Sequence, residues 1–280
     1  MHRLPDSRLD ELLAQDAPHG DLTTELLGIG GEPGRIAFAA RDAMVACCTE
    51  DAAGMLARLG AEVAALVPSG TVVAAGAEIL TAEGPAGALH LAWKVAQTLV
   101  EYASGIATRT RTIVEAARMV RPGIVVACTR KNFPGTKDVS AKAVLAGGAS
   151  LHRLGLSETV LVFPEHRAFL SGDPAVWLAD LKARAPEKKI VVETASVNDA
   201  IALARAGADV VQLEKLSPAD AAAVVAATSC LLPAPVIAAA GGISGANAVE
   251  YAASGVGVLV TSAPYFGRPA DVKVTLGPAG

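Results

Sequence analysis

The sequence predicts an α/β protein that consists of a small mixed α+β unit followed by a β/α barrel. From Gly123 onward, six apolar runs of strand length alternate with alanine-rich segments of helical character, which is typical of a parallel sheet covered by helices. The first hundred residues lack this alternation and mix short β-like runs with Gly/Pro turns. With 280 residues, 52% of them hydrophobic, the chain can bury a large core.

The N-terminal unit begins with a predicted helix over residues 6–16, where apolar residues recur at helical spacing. Short strands follow at "GRIAFAARD" and "AMVACC", and a helix at "EDAAGMLARLG" ends at Gly60. Residues 88–120 predict either one long helix or two helices that meet near Ser104–Gly105. We place the first domain at residues 1–110, the barrel at 111–265, and a tail at 266–280 that returns to the first domain.

The second domain has six predicted strands. A compact β/α barrel accounts for them better than an open sheet does. Alanine-rich helices separate them in the sequence. The strands are "GIVVACT", "TVLVF", "KKIVVE", "ADVVQLE", "APVIAAA" and "VGVLVT".

The charge balance argues against nucleic acid and membranes as partners. The chain carries 24 Lys and Arg against 28 Asp and Glu, a formal net charge of −4 that leaves no broad basic face. Aromatic residues make up only 4%, which disfavours base stacking. No apolar run approaches the roughly 18 residues of a spanning helix, and the N-terminus lacks the apolar centre of a secretion signal. We expect a soluble cytoplasmic protein.

Polar side chains follow the predicted barrel strands where each strand ends. The carboxyl ends of parallel barrel strands meet at one rim, which is where barrel enzymes carry their sites. We therefore expect these residues to converge: Thr129, Arg130, Lys131, Glu193, Glu214, Lys215, Gly241, Gly242, Thr261 and Ser262.

A glycine turn after the fifth strand is a candidate phosphate site. Gly241–Gly242 run into a predicted helix capped by Ser244, and free N–H groups at such a start favour an anion. Thr261 and Ser262 follow the next strand and support this interpretation. The alternative is an ordinary β-to-α turn that needs glycine for positive φ.

Basic side chains interrupt apolar stretches at two further points. Arg130, Lys131 and Arg153 are costly to bury without a partner, so near a core strand they need an anion. His152 beside Arg153 is either a structural histidine or a group that handles an anion or a proton. Together these residues predict two walls of one anion pocket.

Glu193 and Glu214 are isolated carboxylates at strand ends. Such groups hold ribose hydroxyls or Mg²⁺, which prefers carboxylate, water and substrate phosphate oxygens. The alternative is a salt bridge at the barrel mouth. An indirect magnesium site is therefore one prediction for this pair.

The stretch "CTRKNFPGTKDVSAKAVLAGGASLHRLGLSETVLVFPEH" (128–166) resembles the hallmark segment of the quinolinate phosphoribosyltransferase family, the carboxylating nicotinate-nucleotide pyrophosphorylases. "GDLTT", "SGIAT", "VVE" and "AAAGGI" extend the resemblance over nearly the whole chain. Within the family, "WK" together with this stretch resembles the ModD group of pyrophosphorylases, which are encoded beside molybdate-transport genes.

The resemblance implies an N-terminal α/β sandwich, an incomplete β/α barrel, and a homodimer or higher homo-oligomer whose sites are shared between subunits. It implies transfer of a 5-phosphoribosyl group from phosphoribosyl pyrophosphate (PRPP), with Mg²⁺, to a pyridine carboxylate, with pyrophosphate release and decarboxylation. The family's acceptor is quinolinate, and its pathway is NAD biosynthesis.

The family motifs also imply roles for individual residues. Arg130, His152 and Arg153 would bind the acceptor's carboxylates, and Lys131 would serve PRPP. The remaining assignments place Glu193 and Glu214 at the ribose or Mg²⁺, and Gly241, Gly242, Thr261 and Ser262 around the 5-phosphate.

This chain departs from the family at several of these positions. Lys94 stands where the family has an arginine that enters the neighbouring subunit's site, and Phe163 replaces an active-site lysine. Glu214 replaces an aspartate, and Ala240 replaces a serine. An ammonium cannot form arginine's bidentate fork, so the acceptor pocket loses one cation and has another altered.

Two other classes of function stay open on the sequence. A barrel lyase would use Lys131 or Lys215 as a Schiff-base amine. A protein without catalysis would bind molybdate, another oxyanion or a nucleotide in the same pocket.

Overall fold

The computed structural model describes residues 3–279 and divides into two compact units. The first contains residues 3–111, Phe133–Gly148 and residues 265–279, and the second contains Thr112–Asn132 and Ala149–Pro264. The division near Arg111 lies beside the predicted boundary at residue 110. Phe133–Gly148 cluster with the first unit, although the sequence pattern assigned them to the barrel.

The first unit contains a four-stranded antiparallel sheet in the order β13-β1-β5-β3. Ile36 and Phe38 lie on one face of β1 and are fully buried in its core. β2 and β4 form a separate two-stranded pair. The strands are β1 (Pro33–Ala40), β2 (Met44–Val45), β3 (Glu62–Leu66), β4 (Val72–Val73), β5 (Glu78–Pro85) and β13 (Val272–Pro278).

The tail of the chain supplies an edge strand of this sheet. β13 pairs with β1 from Gly34 opposite Pro278 to Ala40 opposite Val272. Residues near the C-terminus therefore complete the sheet that the N-terminal segment begins.

One helix, α4, continues through Ser104 and Gly105, so the prediction of two helices meeting there is excluded. Gly105 permits close packing, because an added Cβ would lie 2.8 Å from the carbonyl oxygen of Arg268. The helices of this unit are α1 (Asp6–Asp16), α2 (Leu22–Leu27), α3 (Thr49–Arg58), α5 (Lys137–Ala146) and the first part of α4 (Ala86–Val120).

A buried ionic cluster ties α5 to α3 within the first unit. Lys142 contacts Asp51, and its Nζ lies 3.3 Å from Oε2 of Glu50. Asp51 is fully buried and also accepts a hydrogen bond of 2.6 Å from the backbone N–H of Leu4. Each buried charge thus has an opposite charge beside it, as burial requires.

The second unit is a curled parallel sheet in the order β7-β6-β12-β11-β10-β9-β8. Within the described residues the end strands β7 and β8 do not pair, so the barrel is incomplete. This confirms the predicted α/β class with a partial barrel. The strands are β6 (Val125–Cys128), β7 (Ser150–Leu151), β8 (Val160–Val162), β9 (Ile190–Thr194), β10 (Val210–Glu214), β11 (Val236–Ala240) and β12 (Val258–Thr261).

Five helices follow the strands of this unit. Asp173, Ser196 and Ser217 cap α7, α8 and α9 by accepting hydrogen bonds from backbone N–H groups of the first turn. No helix between residues 3 and 279 has the length and apolar character needed to cross a membrane. The helices are α6 (Pro164–Arg167), α7 (Pro174–Arg184), α8 (Val197–Arg205), α9 (Pro218–Thr228) and α10 (Ala248–Ala253).

Candidate active site

The candidate site lies at the carboxyl ends of the second unit's parallel strands. Arg130 and Lys131 follow β6, and Glu193 lies near the end of β9. Glu214 ends β10, and Gly241–Gly242 follow β11. The parallel pairing places these strand ends along one edge of the sheet.

Three cations of this region have no carboxylate within ion-pairing distance among the described residues. Arg130, Lys131 and Arg153 form no ion pair with any residue in the range 3–279. Arg153 is only 7% exposed, and its burial and the charge of Arg130 lower the pKa of its guanidinium. A nearly buried guanidinium beside a second guanidinium is energetically costly, and a bound anion would offset that cost.

Arg130 and Arg153 line a cavity of about 790 Å³ together with Phe163 and His166. The guanidinium carbon of Arg153 lies 5.6 Å from the centre of the Phe163 ring, within the range of a cation–π contact. Phe163 stacks on His166 with ring centres 5.7 Å apart and an interplanar angle of 19°. The cavity therefore offers two cations beside an aromatic surface.

His152 is held as a neutral imidazole beside these arginines. Burial lowers its pKa, and the charges of Arg153 and Arg130 lower it further. The carboxamide of Gln212 acts in the opposite direction. Since an unperturbed histidine titrates near pH 6.5, His152 is neutral at pH 7 and can donate one hydrogen bond and accept another.

Glu193 belongs to a group of charges at the ends of β9 and β10. Burial raises the pKa of its carboxyl, and the negative charges of Glu214 and Glu165 raise it further. A hydrogen bond from Gln212 and the charge of Lys131 oppose this rise. The distance from Nε2 of Gln212 to Oε2 of Glu193 is 2.6 Å.

Gly241 is required by the close approach of two strand ends. It has a φ of +86°, and an added Cβ would lie 2.5 Å from Cγ of Lys215 and 2.9 Å from Oε1 of Glu214. Lys215 itself has a φ of 55°, which is costly for a residue with a side chain. Gly242 also has positive φ, at +80°, but faces open space.

The predicted helix start after this turn is wrong. α10 begins at Ala248, and the N-cap residue is Asn247 rather than Ser244. The Ser244 hydroxyl instead accepts a hydrogen bond from the backbone N–H of Ala246. Any phosphate contact here depends on the glycine backbone and not on the dipole of a long helix.

Thr261 and Ser262 differ in what they can offer a ligand. Thr261 is 3% exposed, and its hydroxyl donates to the carbonyl oxygen of Ile243 and accepts from the N–H of Ala263. These two hydrogen bonds hold the glycine turn beside the end of β12, and a phosphate contact of Thr261 stays a prediction. Ser262 is half-buried, and its hydroxyl has no partner among the residues that the structure describes.

Lys94 lies in the first unit, on α4, where its Nζ lies 4.3 Å from the centre of the Trp93 ring. It also donates a hydrogen bond of 3.3 Å to Oε1 of Gln97. The side chain is exposed, so these contacts leave it accessible.

Sequence reasoning missed Gln212 as a structural feature of the site, and it named Lys215 only as a rim residue and a possible Schiff-base amine. Gln212 is the one polar residue inside the run "VVQLE", and it is 4% exposed. A buried amide in a strand needs hydrogen-bond partners, so this interruption of an apolar run was the available signal. Nothing in the sequence indicated the left-handed backbone at Lys215.

Unpaired arginines, a carboxylate pair and a glycine turn at the mouth of an incomplete barrel define a protein class that binds small polyanionic ligands. The chain belongs to the quinolinate phosphoribosyltransferase family. The family's C-terminal domain matches residues 106–275, and its N-terminal domain matches residues 21–104. The resemblance predicted from the motifs is confirmed.

Relatives with high identity carry the name "Putative pyrophosphorylase ModD". The protein from Rhodobacter capsulatus is 49% identical over 249 residues, covering 89% of this chain and 96% of the relative. One from Escherichia coli O6:H1 is 39% identical over 279 residues, covering 99% and 98%. The human nicotinate-nucleotide pyrophosphorylase (carboxylating) is 29% identical over 251 residues, covering 90% and 84%.

Solved structures share the fold over nearly the whole chain. The nicotinate-nucleotide pyrophosphorylase from Francisella tularensis superposes with a TM-score of 0.89 and 23% identity, covering 98% of each chain. NadC from Streptococcus pyogenes gives a TM-score of 0.88 and 21% identity, covering 98% of this chain and 97% of the other.

Proposed function

We propose that this protein transfers the 5-phosphoribosyl group of PRPP to the ring nitrogen of a pyridine carboxylate, such as quinolinate or a related anionic heterocycle, and releases pyrophosphate. The observation that carries the proposal is the pair Arg130 and Arg153, which line one cavity and form no ion pair with a carboxylate among the described residues. Membership of the quinolinate phosphoribosyltransferase family supports the reaction type.

The acceptor end of the site is formed by Arg130, Arg153 and His152. The two guanidinium groups bind carboxylate, and the neutral imidazole donates a hydrogen bond to it. The ring of Phe163, which lies beside Arg153, forms an apolar wall of the cavity next to the heterocycle. Phe163 thus supplies aromatic contact at a position where it cannot supply charge.

The donor end of the site is formed by Lys131, Glu193 and Glu214. Lys131 binds pyrophosphate oxygens, and the carboxylates hold the ribose hydroxyls. The glycine backbone at Gly241–Gly242 and the hydroxyl of Ser262 bind the 5-phosphate.

Magnesium fits the residues present at this end. Two neighbouring carboxylates, Glu193 and Glu214, repel each other, and Mg²⁺ is commonly bound by one or two carboxylates together with substrate phosphates. No cluster of three or more metal-binding side chains exists in the part of the chain that the structure describes. When bound, the ion would neutralise charge on the pyrophosphate, and Glu193 and Glu214 would hold it directly or through water.

The reaction requires the protein to position the two substrates and to stabilise the charges that develop on the ribose ring and on the departing pyrophosphate. The acceptor nitrogen forms a bond to C1 of the ribose as the bond from C1 to pyrophosphate breaks, and positive charge builds up on the ribose ring. Glu193 and Glu214 face that charge, while Lys131 faces the departing anion. The proposal includes loss of CO₂ when the acceptor carries a carboxylate beside the nitrogen.

The proposal extends to the assembly and location of the protein. We propose a cytoplasmic homodimer in which Lys94 of one subunit serves the site of the other. Its exposed ammonium supports this role, because an accessible cation can reach a carboxylate presented by another chain.

A pyrophosphate-release assay tests the function. The protein is incubated with PRPP, Mg²⁺ and a panel of pyridine mono- and dicarboxylates, and the product mass reports nucleotide formation and CO₂ loss. Reactions without acceptor measure PRPP hydrolysis, and Glu193→Gln serves as the catalytic control. Absence of acceptor-dependent pyrophosphate with every aromatic acid would refute the proposal.

Two further measurements separate the other classes. A Schiff-base lysine needs a desolvated amine. Lys131 is exposed and the Lys215 side chain is 78% exposed, so borohydride should trap no substrate on either residue. Calorimetry that found oxyanion binding without pyrophosphate release would instead favour a binding protein.

A further inference from the structure

The cavity that Arg130 and Arg153 line is larger than a pyridine carboxylate requires. Its volume of about 790 Å³ lies within the range of roughly 300–1,000 Å³ that is typical of pockets for drug-sized ligands. A single pyridine ring with two carboxylates is much smaller than such a ligand. Among the described residues, the lining contains none of those proposed for the phosphoribosyl donor. The additional space therefore lies on the acceptor side of the site.

The cavity follows the free edge of strand β8. This strand, Val160–Val162, ends the seven-stranded sheet and pairs only with β9 among residues 3–279. All five residues of Thr159–Phe163 line the cavity. Because successive side chains of a strand point to opposite faces, a cavity that contacts all five runs along the edge of the strand. It extends from Phe163, which lies beside Arg153, towards Thr159.

One face of α7 forms another wall of the cavity. Trp177, Asp180, Leu181 and Arg184 all line it, and their spacing places them on one side of a helix. Leu178, on a different side, is buried in the core. Because α7 connects the parallel strands β8 and β9, it runs antiparallel to them. Trp177, near the start of the helix, therefore lies closer to the carboxyl ends of the strands than Arg184 does.

Apolar and aromatic side chains line the cavity away from the two arginines. They include Leu161, Trp177 and Leu181. Two of the chain's five phenylalanines and one of its two tryptophans lie in this lining, although aromatic residues are scarce elsewhere. Phe169 is 91% exposed and Leu156 is 74% exposed. Large apolar side chains left exposed around a concave surface are typical of a ligand-binding groove.

The end of the cavity near Arg184 offers no free cation. Arg184 and Asp180 form an ion pair, with Nη1 and Oδ2 3.6 Å apart. Among the described residues of the lining, Arg130 and Arg153 are the only other arginines, and lysine is absent. A second phosphate or carboxylate at this end would find no unpaired cation, whereas an apolar group would be removed from water.

We propose that the acceptor is a heteroaromatic carboxylate with an aromatic extension, and that Trp177, Leu181 and Phe169 determine this specificity by enclosing the extension. The inference rests on the proposed function, since it places the acceptor's carboxylates at Arg130 and Arg153. With the carboxylates held there, the opposite side of the heterocycle points along β8 towards α7. The three specificity residues contact the extension and not the reacting atoms.

A comparison of two acids tests the inference. Quinolinate is compared with 5-phenylpyridine-2,3-dicarboxylate, which carries a phenyl group on the side of the ring away from its carboxylates. Calorimetry on the full chain should show about tenfold to a hundredfold tighter binding of the phenyl-substituted acid, because burial of one phenyl ring contributes on that scale. Isoquinoline-3,4-dicarboxylate, in which a fused ring replaces the phenyl group, tests a shorter extension and should also bind more tightly than quinolinate.

Trp177→Ala should remove most of this advantage. We expect its affinity for the phenyl-substituted acid to fall about tenfold, while its affinity for quinolinate stays nearly unchanged. In turnover the KM for the extended acid should rise with little change in kcat, because the lost contact is the same in the ground state and the transition state. Tryptophan emission should change when the extended acid binds to the unmodified protein, and this change should disappear in the variant.

A second variant and a matched control accompany Trp177→Ala. Phe169→Ala removes a highly exposed ring, so it should fold normally and still weaken binding of the extended acid several-fold. Val176→Ala is the control. Val176 neighbours Trp177 on α7 and is 70% exposed, but it does not line the cavity. Its substitution should leave the affinities for both acids unchanged.

The outcomes distinguish this inference from the proposed function. If neither extended acid bound more tightly than quinolinate, or if their advantage survived both Trp177→Ala and Phe169→Ala, the inference would be wrong and phosphoribosyl transfer would stand. Weaker binding of the extended acids would indicate that another part of the assembled protein fills the cavity, and it would also overturn the inference. Tight binding that depends on Trp177, without pyrophosphate release from any acceptor, would support the specificity and count against the function.

Discussion

Arg153 is the residue whose removal tests the anion pocket most directly. Arg153→Ala should weaken acceptor binding at least about tenfold, because a charged hydrogen bond contributes about 1.5–3 kcal/mol. Calorimetry or the acceptor KM measures the change. Binding equal to that of the unmodified protein would remove Arg153 from the site.

Arg184→Ala is the control for this experiment. Arg184 lines the same cavity, but its Nη1 lies 3.6 Å from Oδ2 of Asp180 and its side chain is 77% exposed. Surface pairs of this kind contribute little, so the acceptor affinity should stay nearly constant.

At the residue scale, the chemistry of a side chain was easier to predict than the residues that it contacts in the folded protein. Arg130, Arg153 and Lys131 stand out because charges that interrupt apolar stretches demand partners. The contacts of Phe163 were not apparent, because an aromatic residue at the end of an apolar run is ordinary in a sequence. Its position between Arg153 and His166 depends on how the segments before and after β8 pack.

The turn after β11 yields a prediction at the scale of one element. Gly241→Ala and Gly242→Ala both place a side chain at positive φ, which costs about 1–2 kcal/mol. Only Gly241→Ala adds a clash with Lys215 and Glu214. It should therefore unfold at lower urea and lose most activity, whereas Gly242→Ala should show the smaller loss of stability.

Equal effects of the two substitutions in urea unfolding and pyrophosphate release would contradict this account. Equal effects would mean that Lys215 can move away from residue 241 without a loss in the free energy of unfolding. The end of β10 would then not be tightly packed against the turn.

The ionic cluster on α5 yields a second prediction at this scale. Lys142→Met should lower the free energy of unfolding by about 3–5 kcal/mol, because it leaves the buried Asp51 and its neighbour Glu50 without their cation. Urea denaturation measures the loss.

Lys182→Met is the comparison. Lys182 pairs with Asp209 at 2.8 Å, but its side chain is 39% exposed, so the expected loss is about 1 kcal/mol or less. If both variants lost the same stability, the cluster around Lys142 would not be the stronger anchor.

The elements that the sequence predicted well are those with a local signal. Buried parallel strands are apolar throughout, so all six predicted barrel strands are present. β7 has only two residues, Ser150–Leu151, and too little pattern to recognise. The start of α10 was placed too early because Ser244 is chemically a good cap, although its hydroxyl closes a turn instead.

At the scale of the whole molecule, long-range packing limited prediction. α5 follows β6 in the rhythm of the barrel, yet it clusters with the first unit. The reason lies in Lys142, whose partners Glu50 and Asp51 come more than ninety residues earlier. No local pattern in an alanine-rich helix reveals such a pairing.

Mixed assemblies test the proposal that subunits share their sites. Lys94→Ala and Arg153→Ala proteins are each expected to be nearly inactive for pyrophosphate release. If one subunit supplies Lys94 to its partner's site, mixing the two should restore about one quarter of the activity, because random pairing yields one intact site among four.

Sedimentation of the separate proteins controls for assembly. A mixture no more active than its parents, although both proteins form dimers, would place Lys94 outside the partner's site.

The pairing of β13 with β1 bears on how the protein is made. The paired residues Gly34 and Pro278 lie at opposite ends of the sequence, and the entire second unit is translated between them. While the ribosome makes that stretch, the outer edge of β1 stays open, and open edges recruit foreign strands. Nascent chains halted before Val272 should therefore bind chaperones and aggregate, whereas chains released with β13 should not.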